Sequence, residues 1–296
     1  MIGQISIFFR RLGWRHLIWI LVLAGITYVS LPFFYAADYT WHLLHPNCME
    51  SEIENVQGEW IQVEEAYSGS FLFWYVPAEN GRMIVLVGGR GGTLSDWQAE
   101  VNAFVNEGYG VAVLADPGCN LPISTLGFRE KNQITAVVEY LTDDKQIEWI
   151  GAAGFSAGAS ALALAVPEMD QVRMVVLMGN FADLKSEMMY TPYKVGSIGW
   201  LGQQAVSFWY WLFTGNKTSD VSPITAYKAY EGVNVFLVHG QYEVQRTQAE
   251  KQLEILDENE SVNAELWIVP GAYHGMYDRV EGDIYLRTLI DFFNGD

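Results

Sequence analysis

From residue 57 onward the chain alternates short apolar runs with amphipathic stretches, and no other feature constrains its fold so strongly. Runs rich in Val, Ile and Leu occupy residues 83–87, 111–115, 147–153, 174–178, 233–238 and 266–269. Residues 95–107, 128–141, 156–165, 245–259 and 283–293 lie among them and carry helical periodicity, as with Trp97, Val101, Phe104 and Val105 in the first. Continuous apolar strands that alternate with helices predict a mostly parallel sheet covered on both faces. Residues 58–63 and 70–76, aromatic and β-branched, add an antiparallel entry pair. In such sheets the chemistry lies beyond the carboxyl ends of the strands.

The N-terminus obeys a different rule. Residues 17–37 hold no Asp, Glu, Lys or Arg. At 1.5 Å per residue they span roughly 30 Å of helix, the thickness of a hydrocarbon core. Trp14, Trp19, Phe33, Phe34 and Tyr35 flank the two ends, where interfacial aromatics sit. A cleavable leader is the rival reading, but cleavage after Ala36 or Ala37 puts Phe34 or Tyr35 where a small residue is wanted. A buried helix of a soluble domain is the third.

Arg10, Arg11 and Arg15 precede the run, so the positive-inside rule puts residues 1–16 in the cytoplasm, residues 17–37 in the membrane and the rest outside. Residues 38–56 then form a juxtamembrane connector, and residues 57–296 one large domain. Lys and Arg number 17 against 35 Asp and Glu; with the three leader arginines set aside, residues 38–296 carry −21. That surface repels phosphate backbones and excludes nucleic acid as the partner. It equally disfavours docking on anionic lipid by charge alone. Cys48 and Cys119 can pair in an oxidising space, or Cys119 can be a buried thiol. No CxxC or HExxH occurs, and no metal or cofactor is expected. Oligomeric state is not encoded in any pattern.

Four loops at strand ends carry chemistry. Gly154-Phe-Ser-Ala-Gly158 matches G-x-S-x-G, in which a sharp strand-to-helix turn lifts the serine hydroxyl above the sheet. Ser156 is the candidate nucleophile. His274, in the loop after the last strand, is the candidate general base and acid. His239 closes the strand at 233–238 and reads as structural. Glu243 lies between serine and histidine in chain order, as the elbow motif demands, and is the candidate orienting acid, with Asp183 its rival. Asp278 reads as a helix cap. Gly88-Gly-Arg-Gly-Gly92 supplies amides for an oxyanion, with Arg90, or Gly89 or Gly91, acting beside Ala157. The run has no Gly-Lys-Ser/Thr for a phosphate loop, and Leu94 replaces the third glycine of a dinucleotide fingerprint.

Together these motifs resemble the α/β-hydrolase family, in its serine aminopeptidase-like and monoglyceride-lipase-like group, over residues 57–296. VLVGGRGG resembles the strand and oxyanion loop, with Gly88 where His is usual. GFSAG resembles the nucleophile elbow, VHGQYE the acid loop with Glu in place of Asp, and GAYHG the histidine loop. ADPGCNLPIS is a looser match. The resemblance implies an α/β-hydrolase fold and acyl transfer to water through Ser156, His274 and Glu243. Some fifty residues separate the sixth and seventh strands, too many for a plain connection, and imply a cap at about 180–228. Met188, Met189, Tyr190, Tyr193, Trp200, Leu201 and the run 208–213 make that cap apolar. These side chains pack it onto the core, line an acyl pocket, or face the membrane. Asn216 and Asn259 stand in glycosylation sequons. The expected substrate is a small-molecule or lipid-like ester, with a peptide as the alternative. A non-catalytic binding protein of the same fold is the competing class, favoured by the Gly88 and Glu243 departures.

Overall fold

A computed structural model describes residues 14–190 and 196–295. Arg10, Arg11 and Tyr193, and the side chains of Arg15, Met189, Tyr190, Trp200 and Leu201, lie outside what it describes.

Eight strands form one sheet in the order β1-β2-β4-β3-β5-β6-β7-β8. They are β1 Glu59–Glu65, β2 Gly69–Val76, β3 Arg82–Val87, β4 Gly110–Leu114, β5 Trp149–Phe155, β6 Val172–Met178, β7 Val233–Gly240 and β8 Val262–Val269. β2 pairs antiparallel with β1 and β4, and every later pairing is parallel. All eight strands lie where the apolar runs predict them, on an α/β-hydrolase architecture.

Nine helices matter to the argument: α1 Trp14–Leu44, α2 Gln98–Asn106, α3 Glu130–Asp143, α4 Ala157–Ala165, α5 Leu184–Tyr190, α6 Gly196–Thr214, α7 Arg246–Asp257, α8 Tyr277–Glu281 and α9 Asp283–Asn294. Ile134, Val137, Val138 and Leu141 of α3 join α4 and α7 against one sheet face. Val101 and Phe104 of α2 and Tyr285, Leu289 and Phe293 of α9 cover the other. α5 and α6 lie between β6 and β7, as the cap predicts.

Three boundaries shift for physical reasons. β5 starts at Trp149 and not at 147, because the Ile147 amide closes the turn after α3 on the Leu141 carbonyl. The strand therefore reaches Phe155 and delivers Ser156 at its tip. α3 starts at Glu130, whose buried carboxylate accepts from the Thr125, Leu126 and Gly127 amides and the Ser124 and Thr125 hydroxyls. β8 begins four residues early, since its outer half alternates polar and apolar residues as an edge strand does.

α1 is long and apolar enough to cross a membrane by length and composition. It runs on to Leu44, seven residues beyond the charge-free run. Asp38 and His42 pair at 3.6 Å on its exposed side, while Ala36, Thr40 and Leu44, four residues apart, are buried. Ala36 and Leu44 join Leu184, Met188, Ala205, Val206 and Tyr210 of the cap in a third apolar cluster. The helix end is thus built into the body. Cys48 and Cys119 form a disulfide with Cα atoms 5.8 Å apart, joining the segment after α1 to the loop after β4.

Candidate active site

Ser156 sits between β5 and α4 at φ 54°, ψ −122°, a left-handed conformation that a serine adopts only where its surroundings impose it. Its amide donates to the Met178 carbonyl at 2.8 Å, fixing the turn to the neighbouring strand. The flanking loops touch closely. A Cβ at Gly158 would overlap the carbonyls of Gly88 and Val87, and one at Gly88 would overlap the carbonyl of Ala115. The second clash explains why glycine stands where the resemblance expects histidine: no side chain fits there.

His274, in the loop between β8 and α8, reaches the serine. The Ser156 hydroxyl donates to His274 Nε2 at 2.9 Å. The other ring nitrogen, Nδ1, lies 3.6 Å from Glu243 Oε1. Phe155 packs on the imidazole with ring centroids 4.7 Å apart, which holds its plane. Glu243 follows β7 and is buried. Its other oxygen, Oε2, is 3.2 Å from His239 Nδ1, and the Tyr277 hydroxyl donates to Oε1. Burial raises the pKa of this carboxyl, but the contacts with His239, His274 and Tyr277 outweigh burial and hold it down at about 2. The group is a fixed anion beside the imidazole.

The rival acid is elsewhere. Asp183 accepts from the amide and hydroxyl of Ser186, both at 2.8 Å, at the start of α5. Asp278 lies in the first turn of α8, whose N-cap position is Met276, so it is not the cap residue that the sequence suggests.

In the oxyanion loop the Gly91 amide donates to Asp116 Oδ2 at 2.6 Å, the Gly92 amide to the Gly89 carbonyl and the Gly88 amide to Leu114. These amides are occupied, whereas Ala157 opens α4 and has no acceptor within its own helix. The Arg90 side chain turns away from the serine and caps α1, donating to the carbonyls of His42 and Leu43 at 2.5 and 2.6 Å. Asp116 is pushed up to about 6 by burial, against the Gly91 and Gly118 amides that lower it.

A cavity of about 720 Å³ opens beside Ser156 between the glycine loop, α8 and α9. Asp96, Glu100 and Asp278 line it, with Arg90 and Arg279. Glu100 is raised to about 7 by burial, opposed by the Tyr285 hydroxyl that donates to it at 2.7 Å. Its folded pKa lies above the ordinary 4.5, so the native state holds the proton more tightly and loses stability as pH rises from 4.5 through 7. Glu100→Gln removes that loss. The variant is expected to be more stable than wild type at pH 8, on the order of 2–3 kcal/mol, with the gap closing near pH 5. Urea unfolding at both pH values checks this, and a gap independent of pH contradicts it.

Tyr277, Asp116 and Glu100 escaped sequence reading. Asp116 alone had a signal, as an acid directly after an apolar strand at the carboxyl edge. Tyr277 and Glu100 sit in helices like any other polar residue, and only the fold turns them inward. His239 is buried as expected, but it also touches the candidate acid.

The sheet order, the serine at a strand-to-helix elbow and the histidine bonded to it define a serine hydrolase of the α/β-hydrolase class. Residues 124–295, more than half the chain, match the model of the prolyl oligopeptidase family (Peptidase_S9), and the chain belongs to that family. Among solved structures, the esterase Pf2001 of Pyrococcus furiosus is similar at TM-score 0.64 and 14% identity, over 85% of this chain and 98% of its own. The acylaminoacyl peptidase of Pyrococcus horikoshii is similar at TM-score 0.62 and 15% identity, over 82% of this chain and 42% of its own. Est1E of Butyrivibrio proteoclasticus is similar at TM-score 0.57 and 18% identity, over 80% of this chain and 98% of its own. At these identities the likenesses concern the fold.

Proposed function

We propose that the protein is a membrane-anchored esterase-like hydrolase that works through a Ser156-His274-Glu243 triad and an acyl-enzyme. Ser156 Oγ attacks the substrate carbonyl as His274 Nε2 takes its proton. The amides of Arg90 and Ala157 receive the oxyanion, and His274 then protonates the leaving group. Water then gives a proton to His274 as its oxygen attacks the acyl carbonyl, and the acyl–Oγ bond breaks as His274 returns that proton to Ser156, releasing the acid and the free enzyme. Glu243 keeps the imidazole oriented and stabilises its charged form. The 2.9 Å contact between His274 and Ser156, with a buried anion at the other ring nitrogen, carries this reading.

Glu243→Gln is expected to lower kcat by roughly 10³–10⁴-fold, as removal of the orienting charge does in other triads, while Asp183→Asn leaves it within about twofold. Steady-state rates on an activated ester check this, and the opposite ranking makes Asp183 the acid.

A peptidase reading keeps one observation in its favour. Asp96, Glu100 and Asp278 line the cavity beside Ser156 and offer a place for a substrate amino group. A series of p-nitrophenyl esters of rising chain length, run beside aminoacyl amides, separates the two. Higher kcat/KM on the esters is expected; preference for the amides makes the protein a peptidase.

The topology belongs to the same proposal: residues 1–16 cytoplasmic, 17–37 in the membrane, 38–56 connecting, and 57–296 outside with the cap at about 180–228. The Cys48–Cys119 disulfide supports the outward placement, since such bonds persist in oxidising compartments. A reporter fused after Asp296 that is active only in the cytoplasm overturns it.

A further inference from the structure

We propose that the outer face of α6, the long helix of the cap, docks into the lipid interface of the membrane that α1 crosses. The cap is then a membrane-seated element beside the catalytic loops. This rests on reading α1 as the anchor.

The two helices are packed together. The Phe33 ring meets those of Phe208 and Trp209 with centroids 5.7 and 4.9 Å apart, and Trp209 Nε1 donates to the Phe33 carbonyl at 2.9 Å. Trp41 meets Phe213 at 5.5 Å. Residue numbers rise together along both helices, so α6 runs parallel to α1. Its start, twelve residues before Phe208, lies toward the membrane side of that contact.

The face of α6 turned away from the body stays exposed beyond the Phe33 contact among the described residues. Phe208, Trp211 and Leu212 share one stripe by helical spacing and are 42%, 48% and 50% exposed. The opposite side, through Val206 and Tyr210, is buried in the third apolar cluster. The stripe lies level with Phe33, and next to it on α1 stand Leu31, Phe34 and Tyr35, all exposed too. Two helices of one chain thus expose aromatic and aliphatic side chains at the height where the spanning segment ends, and aromatic side chains favour the interface at that height. Charge agrees. No Asp, Glu, Lys or Arg occurs between Lys194 and Lys217, in a protein of net charge −18. A helix that runs beside the anchor with these side chains outward turns its apolar stripe to the lipid at that level.

The catalytic end is fixed relative to this patch. The Arg90 guanidinium holds the carbonyls of His42 and Leu43 at the end of α1, and Arg90 belongs to the glycine loop beside Ser156. Docking of α6 therefore sets the height of the site above the bilayer. It presents the site to an amphiphilic acyl substrate whose reactive carbonyl lies at headgroup level.

The test uses the full chain in phosphatidylcholine vesicles. Both native cysteines are in the disulfide, so single Phe208→Cys, Leu212→Cys, Leu23→Cys and Ile284→Cys variants each accept one NBD fluorophore. Lipids carrying a doxyl quencher at acyl carbon 5 or 12 report depth. Docking is expected to quench positions 208 and 212, more by the shallow label, with Leu23 quenched by the deep one and Ile284, on the far helix α9, unquenched. If Leu23 is quenched and 208 and 212 behave like Ile284, the docking is wrong and the anchor stands. If Leu23 is not quenched, the anchor reading fails and the docking with it. A blue shift at 212 without lipid quenching means that protein, such as a second copy, covers the stripe, and also overturns the proposal.

Discussion

Ser156→Ala and His274→Ala are each expected to lower kcat by roughly 10³–10⁶-fold, and the double variant no further than the worse single one. The hydroxyl is the atom that attacks, and the imidazole is the group that moves its proton, so either loss stops the same step. Residual turnover above the uncatalysed rate is left to the oxyanion amides, which neither substitution removes. Both changes are expected to leave the fold intact. Alanine at 156 occupies the same positive φ as serine, and His274 is a half-exposed loop residue whose ring touches Phe155 on one side. Thermal midpoints within about 2 °C of wild type, beside the collapsed kcat, separate lost chemistry from lost structure. Additive losses in the double variant contradict a serine and histidine acting as one unit.

The second large effect is expected at the disulfide. Cys48 and Cys119 are 71 residues apart, and closing a loop of that length removes denatured-state entropy worth about 4 kcal/mol. Cys48→Ser, or reduction of the wild type, is expected to lower the urea midpoint in detergent by a corresponding amount. The consequence reaches the site. Cys119 lies three residues after Asp116, whose carboxylate holds the Gly91 amide in the oxyanion loop. Cys48 lies four residues beyond the end of α1, which Arg90 of the same loop caps. A released connector therefore loosens the glycine loop from two sides, and kcat is expected to fall along with stability. Unchanged unfolding with and without reductant contradicts the pairing.

Much of this molecule is legible in its residues, for identifiable reasons. The central strands are buried on both faces, so each announces itself as a run of apolar residues bounded by turn residues. The elbow is legible because a strand-to-helix turn this tight needs Gly154 and Gly158 at defined offsets from Ser156. His274 and Glu243 are found because they follow strands, at the edge where a parallel sheet gathers its loops. What stays hidden depends on distant contacts. Nothing near Tyr277 shows that its hydroxyl will meet Glu243, 34 residues earlier. Arg90 reads as a loop cation, and only the returning helix end reveals a cap on His42 and Leu43. The extension of α1 to Leu44 is masked by Asp38 and His42, charged or polar residues that fall on the exposed side of a helix whose other side is buried. Glycine at position 88 looks like a departure from the family pattern in one dimension. In three it is the only residue that leaves room for the Ala115 carbonyl.

Treatment of the purified wild type and of Ser156→Ala with a fluorophosphonate probe, followed by peptide mass spectrometry, tests the catalytic assignment most directly. A covalent adduct on Ser156 in the wild type and none in the variant is the expected result. An unlabelled wild type, or equal labelling of the variant at another residue, contradicts the assignment of Ser156 as the nucleophile.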